Sequence, residues 1–426
     1  MPRTNRLIGD AGVTFVNATY GHSLCCPSRA SIQRGQYPHN TGVYKNGPPN
    51  GGFESFREFG RTEDTYATDL RAAGYRTGYF GKYMNGYEQF LSTKPPGWTY
   101  WLAGAPMARQ YSLNGQVETT VANGTTYKEA RFDEVVADEG IRWIRGASAG
   151  SKPFMAALNF YAPHTPAEHP PEYDAMYQDE PLPKPPSYDE EDRSDKPGWL
   201  RAAPPISPED EASMTEYYRD RLRSVEYVDR QVARLVNALK QAGELRNTYV
   251  VFYSDNGYHL GQHRLPGLHH GGKNTPYVED ARFPIVVRGP RIVPGRVSGA
   301  MVQNVDLRPT FAAMAGARAP DYVDGTSFLP EARGTGTFPR RYAYSERLES
   351  DGGTTVAADA DWKAVYAPDK AYHHWFRTGE EELYDLSADP YELDNLLAGG
   401  ASEAEAAPFR GAMIRMQDCR GAECSR

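Results

Sequence analysis

Apolar residues fall along this chain in short runs, each closed by polar or glycine-rich punctuation. Five runs have the length and the β-branched or aromatic content of buried strands: Gly12–Tyr20, Tyr75–Phe80, Phe154–Ala162, Thr248–Ser254 and Pro284–Gly289. A different period governs the stretch before the fourth run. Leu222, Val225, Val228, Val232, Leu235, Val236 and Leu239 recur at helical spacing, and Gly243 is a stop signal. Strands alternating with helices predict an α/β fold, a mostly parallel sheet sandwiched by helices. After Pro330 the rhythm shortens. "RYAYSE", "WKAVYA" and "EELYDL" predict short strands of a smaller unit, so residues 1–330 form one domain and 331–426 a smaller C-terminal α+β domain. Twelve prolines between Pro163 and Pro208 exclude regular structure there and suggest a lid or binding wall.

In an open parallel sheet, ligands bind beyond the carboxyl ends of the strands. The polar residues that follow the predicted strands are Cys25, then Lys82, then His164, then Asp255, Asn256 and His259. A thiol, a cation, an imidazole and a carboxylate–amide pair would share one rim. Pro27 and Gly35 bracket a short helix, with Cys25 at its positive N-terminus, where an anion is favoured. Spacing alone leaves Cys25 and Cys26 open as small buried residues, a vicinal disulfide, or a nucleophile with His164 as base. The local signatures of cysteine proteases are absent. Lys82 and Lys273, taken singly, read as surface charges, His164 as a turn cap and "SDNG" as a plain turn. His259 and His263 stand four apart, as zinc ligands on a helix would. Glycines and Pro266 break any such helix, and no cysteine or clear third ligand follows, so His259 reads better as a substrate contact or as a residue supporting the site from behind.

Composition narrows the partners. Net charge is −8 over 426 residues with no basic block, which argues against nucleic acid and anionic membranes. No apolar run reaches the length of a membrane span, and the N-terminus has no signal-peptide apolar core. Cys419 and Cys424 could close a small disulfide loop, which would imply an oxidising compartment.

Cys25-Cys26-Pro27-Ser28-Arg29 has the form C-x-P-S-R, and with it the chain resembles the sulfatases, of the alkaline-phosphatase-like superfamily. "GYRTGYFGKYMNGY", "NFYAPHTP", "VVFYSDNGYHLGQH" and "ELYDLSADPYELDNL" follow in that family's order, and the N-acetylglucosamine-6-sulfatase and arylsulfatase branch is the most similar. The resemblance implies a sulfuric ester hydrolase acting on a sulfated sugar or aryl sulfate. Cys25 would be the residue that a formylglycine-generating enzyme oxidises to an aldehyde. Its hydrate would attack sulfur with one hydroxyl and expel sulfate with the other. Asp255 and Asn256 match two of the family's ligands to a divalent cation, calcium or magnesium. Arg29, Lys82 and Lys273 match cations around the reacting oxygens, and His164 matches a histidine placed to protonate the leaving oxygen. The same scaffold also serves phosphate and phosphonate esters, and a catalytically dead binder of sulfated glycans is the non-enzymatic alternative.

The resemblance fails at one end. The family opens with a strand ending in two aspartates that supply the rest of the metal site. "RTNRLIGDAGVTF" resembles the helix after that strand, which puts Asp10 on a helix and not at a strand end. Met84 also stands where many members have histidine. The expectation is a longer natural protein, secreted or periplasmic, whose upstream residues carry the strand and the aspartates.

Overall fold

The computed structural model describes residues 1–104, 119–120, 126–127, 131–268, 272–348, 360–400 and 402–425. Its strands are β1 Val13–Thr19, β2 Arg76–Lys82, β3 Tyr100–Gly104, β4 Thr119–Thr120, β5 Thr126–Tyr127, β6 Phe154–Asn159, β7 Val250–Phe252, β8 Arg282–Arg288, β9 Arg296–Ser298, β10 Ala343–Arg347, β11 Trp362–Tyr366, β12 Lys370–Trp375 and β13 Glu380–Asp385. All five apolar runs contain strands (β1, β2, β6, β7 and β8), and the periodic stretch lies inside the Pro208–Gln241 helix.

The larger sheet is split. One part has the order β3-β2-β6 with every pair parallel; the other has the order β7-β8-β1-β9, in which β8 runs against both neighbours. Among the described residues, β6 bonds only to β2 and β7 only to β8. Between these two free edges lies a cavity of about 1050 Å³, walled by Phe154–Pro163 on one side and Thr248–Gly257 on the other. All residues of β6 and β7 are half-buried, whereas β2, paired on both sides, buries all but its first residue. Exposure here comes through the strand edge, not through a face, so no alternation of period two survives.

The Pro208–Gln241 helix bridges the two parts. Val228, Val232 and Val236 pack with Val250 and Phe252 of β7, while Leu235 and Leu239 pack with Phe154 and Leu158 of β6. The chain start is tied to the same helix: Thr4 donates its backbone N–H and its hydroxyl to Asp229 Oδ1, both at 2.7 Å. Asp10 is exposed at the end of the helical turn Asn5–Gly9, as its sequence context predicts. Among the described residues no helix is long and apolar enough to cross a membrane.

Strands β10–β13 form an antiparallel meander. The sequence pattern misses β12, because "KAYHHW" carries a lysine and two histidines. Its Tyr372, His373 and Trp375 are nonetheless fully buried. Cys419 and Cys424 are joined in a disulfide. The proline-rich stretch holds only the Pro171–Tyr173 turn and the Gly198–Arg201 helix. It is partly an anchor, since Leu200 is fully buried and Trp199 meets Trp375 edge-on at 5.3 Å.

Candidate active site

The Cys25–Arg34 helix follows β1, with Pro27 in its first turn, where a missing N–H costs nothing. Gly35 ends it at φ 66°, and a Cβ there would come within 2.7 Å of Val323. Cys25 therefore sits at the helix N-terminus, almost fully buried. Its sulfur lies 3.6 Å from Lys82 Nζ, 3.6 Å from Lys273 Nζ and 3.6 Å from Asn256 Oδ1. Lys82 closes β2, while Asn256 and Lys273 lie on the long connection after β7. Residues far apart in the chain thus meet at one sulfur.

The two neighbouring thiols are free and electrostatically opposite. Burial alone would push both up. At Cys25 the Lys273 and Lys82 ammoniums, with a hydrogen bond to His164, outweigh it and hold the thiol well below its usual range. Cys26 has burial and the neighbouring Cys25 against it and is pushed up to about 12. Its sulfur accepts the Asn85 N–H at 3.1 Å, and its own N–H donates to Asn46 Oδ1 at 3.0 Å. Cys25 is thus built as an anion site and Cys26 as an inert packing residue.

Arg29 does something its sequence position did not reveal. Its Nε donates to Asp255 Oδ2 at 2.7 Å, and its Nη1 donates to Lys82 O at 2.9 Å and to Asn159 Oδ1 at 3.4 Å. One guanidinium ties together the ends of β2, β6 and β7. Burial would raise the Asp255 carboxyl, but Arg29, Lys82 and Lys273 hold it well below the usual carboxylate range. His164 stacks on Tyr161 with ring centres 4.6 Å apart, and its Nδ1 donates to Thr165 O at 3.0 Å. That contact leaves Nε2 for the thiol. Burial lowers the imidazole pKa, the Cys25 contact works against this, and the net shift is downward, so the resting ring is neutral. Tyr161, which also lies 5.3 Å under the Lys82 ammonium, and Asn159 belong to the "NFYAPHTP" motif, but nothing in their residue types assigned them a place in the site.

His259 is fully buried, its Nε2 bonds Thr275 Oγ1 at 2.8 Å, and it does not line the cavity. In this arrangement it supports the connection that carries Lys273. His269 and His270 lie outside the described residues.

The described residues do not by themselves fit a divalent cation. Asp255 and Asn256 supply two side-chain donors; a hard cation takes about six or more oxygens. Asp255 is engaged by Arg29, and Asn256 Oδ1 lies 3.4 Å from Lys273 Nζ. Three cations facing one carboxylate make this centre a site for anions.

A family model described as "Sulfatase" matches residues 1–317. The chain belongs to the sulfatase family. Sulfatases hydrolyse sulfuric esters and in general use a metal and a formylglycine. A second model, "N-sulphoglucosamine sulphohydrolase, C-terminal", matches residues 270–417 of this sulfatase. Human N-acetylglucosamine-6-sulfatase is 33% identical over 464 aligned positions, covering 100% of this chain and 82% of that protein. An "Extracellular sulfatase SULF-1 homolog" from Drosophila melanogaster is 39% identical over 339 positions; these cover 78% of this chain and only 29% of that relative's length. A solved structure bound to its substrate D-glucosamine-2-N,6-O-disulfate superposes with a TM-score of 0.77 at 23% identity, over 97% of this chain and 90% of that one. The shared fold is alkaline-phosphatase-like.

Proposed function

We propose that this protein releases sulfate from a sulfated saccharide of the 6-O-sulfated glucosamine class, with Cys25 converted to formylglycine by a separate maturation enzyme. The observation that carries the proposal is the Cys25 side chain held between two lysine ammoniums at 3.6 Å, at a helix N-terminus inside C-x-P-S-R. The 33% identity to an N-acetylglucosamine-6-sulfatase supports the sugar class. The aldehyde hydrate supplies an oxygen nucleophile and a second hydroxyl that releases sulfate. This chain's residues do the rest. Lys82 and Lys273 hold negative oxygens where charge grows, in a buried site where such contacts are strong. His164, neutral at rest, takes a proton when an anionic ester enters beside it and returns it to the departing sugar oxygen. Arg29 keeps Asp255 ionised and the three strand ends in register.

The slot between β6 and β7 supports a further part of this reading. The edges of β6 and β7 facing this cavity are free to pair with a further strand laid between them. If its last residues were acidic, they would lie beside Asp255 and Asn256 and bring the missing oxygens for a divalent cation. The test is sulfate release from 6-O-sulfated N-acetylglucosamine by the protein co-expressed with a formylglycine-generating enzyme. Activity is expected, together with the mass change of thiol to aldehyde at residue 25. Undiminished turnover by Cys25→Ala would sink the proposal.

A further inference from the structure

We propose that His263, Glu279 and Glu392, with His373 beside them, form a second and separate site for a zinc-like divalent cation, which fastens the connection bearing Asn256 and Lys273 to the C-terminal sheet. His263 is fully buried, and its Nδ1 lies 2.8 Å from Glu190 Oε2. That hydrogen bond puts a proton on Nδ1, so Nε2 is the nitrogen turned toward the other donors. A carboxylate behind a histidine is the arrangement that orients metal-ligating imidazoles. Among the described residues Nε2 has no hydrogen-bond partner; it faces Glu279 Oε2 at 3.8 Å, which has none either. Glu392 is fully buried too. Its Oε2 accepts the Val278 N–H at 2.7 Å, and Oε1 is left without a hydrogen bond.

The three donor atoms, one nitrogen and two carboxylate oxygens, lie within 4.8 Å of one another. Bonds of about 2.0–2.2 Å to a tetrahedral zinc would draw them to roughly 3.3 Å apart, a contraction that side-chain torsions can absorb. His373, also fully buried, puts Nε2 3.3 Å from Glu392 Oε1 and so stands next to these three donors. Its Nδ1 is backed by Glu382 Oε2 at 3.7 Å. A mostly buried, mixed nitrogen and oxygen donor set suits zinc better than calcium.

Charge gives the second argument. Glu190, Glu279, Glu382 and Glu392 gather here, and the cations beside them are Lys196, 3.3 Å from Glu190, and Arg282. Lys196 is shared with the partly exposed Asp195 at 3.0 Å. The cluster thus holds more carboxyl groups than fixed cations, an imbalance that one divalent ion would relieve. Buried uncompensated charge is otherwise very costly. The ligands come from the connection after β7, the start of the Val278–Ala281 helix, β12 and the segment after β13. An ion here would couple the wall of the anion site to the smaller sheet.

Cobalt(II), which takes zinc's place and reports tetrahedral coordination by its visible absorption, is the probe. The whole chain, stripped with chelator and dialysed, is titrated with cobalt(II). One equivalent with a strong tetrahedral spectrum and a raised thermal midpoint is expected. His263→Gln should abolish both, Glu190→Gln should weaken binding by about 10–100-fold, and Asp255→Asn should leave both intact. If His263→Gln fails to fold, Glu279→Gln, at a more exposed position, gives the same readout. No spectrum in the unaltered chain, or one that survives Glu279→Gln unchanged, overturns the proposal.

Discussion

Two buried charge clusters lie on either side of one chain segment, and they are opposites. Around Cys25, the cations Arg29, Lys82 and Lys273 face the single carboxylate of Asp255. Around His263, four glutamates face Lys196 and Arg282. The first is open to a large cavity; the second is mostly buried. An open cationic centre can be neutralised by a substrate that comes and goes. A mostly buried acidic one is better neutralised by something that stays. The residues from Asn256 to Glu279 serve both, so the rigidity of one centre supports the precision of the other.

Removing Lys273 should break the comparison most sharply. Lys273→Ala takes away one of two ammoniums at the reacting atom, and kcat for sulfate release should fall by about 10²–10³-fold. Steady-state kinetics on the matured protein checks this, and cobalt(II) binding at the His263 cluster should be unaffected. Next in size is Arg29→Gln. It strands Asp255 without its guanidinium partner, and the loss should reach about 3 kcal/mol at neutral pH, less than for a fully closed pair because the cavity admits water. The pH dependence has a definite sign. The folded Asp255 carboxyl is held below its unfolded value, so its contribution is full above pH ~4 and is lost as pH falls below that. Denaturant melts from pH 3 to 7 should show a steeper acid limb for the unaltered chain than for Arg29→Gln.

A smaller effect is expected at Gly35. Gly35→Ala places a Cβ against Val323 at a positive φ, and should cost about 1–3 kcal/mol in chemical denaturation. The last prediction concerns the contrast between adjacent sulfurs and should leave stability unchanged. In protein made without maturation, ultraviolet titration of thiolate should show Cys25 ionising well below the usual thiol range and Cys26 still protonated at pH 10. Simultaneous ionisation of the two would remove the electrostatic account of the site.

Much was legible in the sequence by itself. Local rules acting over a few residues predicted β1, β2, β6, β7, β8, the long helix and the Cys25–Arg34 helix, because hydrophobic period, Pro27 and Gly35 act locally. The C-x-P-S-R motif and the residues after each strand picked out the groups that meet at Cys25. Other features depended on tertiary structure. Arg29 reads as one more cation beside the motif, and only folding shows it clamping three strand ends. His259 and His263 look like a pair, yet their rings diverge to Thr275 and Glu190, because direction along a loop has no period to read. The break between β6 and β7 has no signature in the hydrophobic pattern, because the exposure of their edges arises only when the sheet is assembled. The meeting of His263 with Glu279 and Glu392 was decided entirely in three dimensions, as burial charges a penalty only for the neighbours a side chain finally acquires.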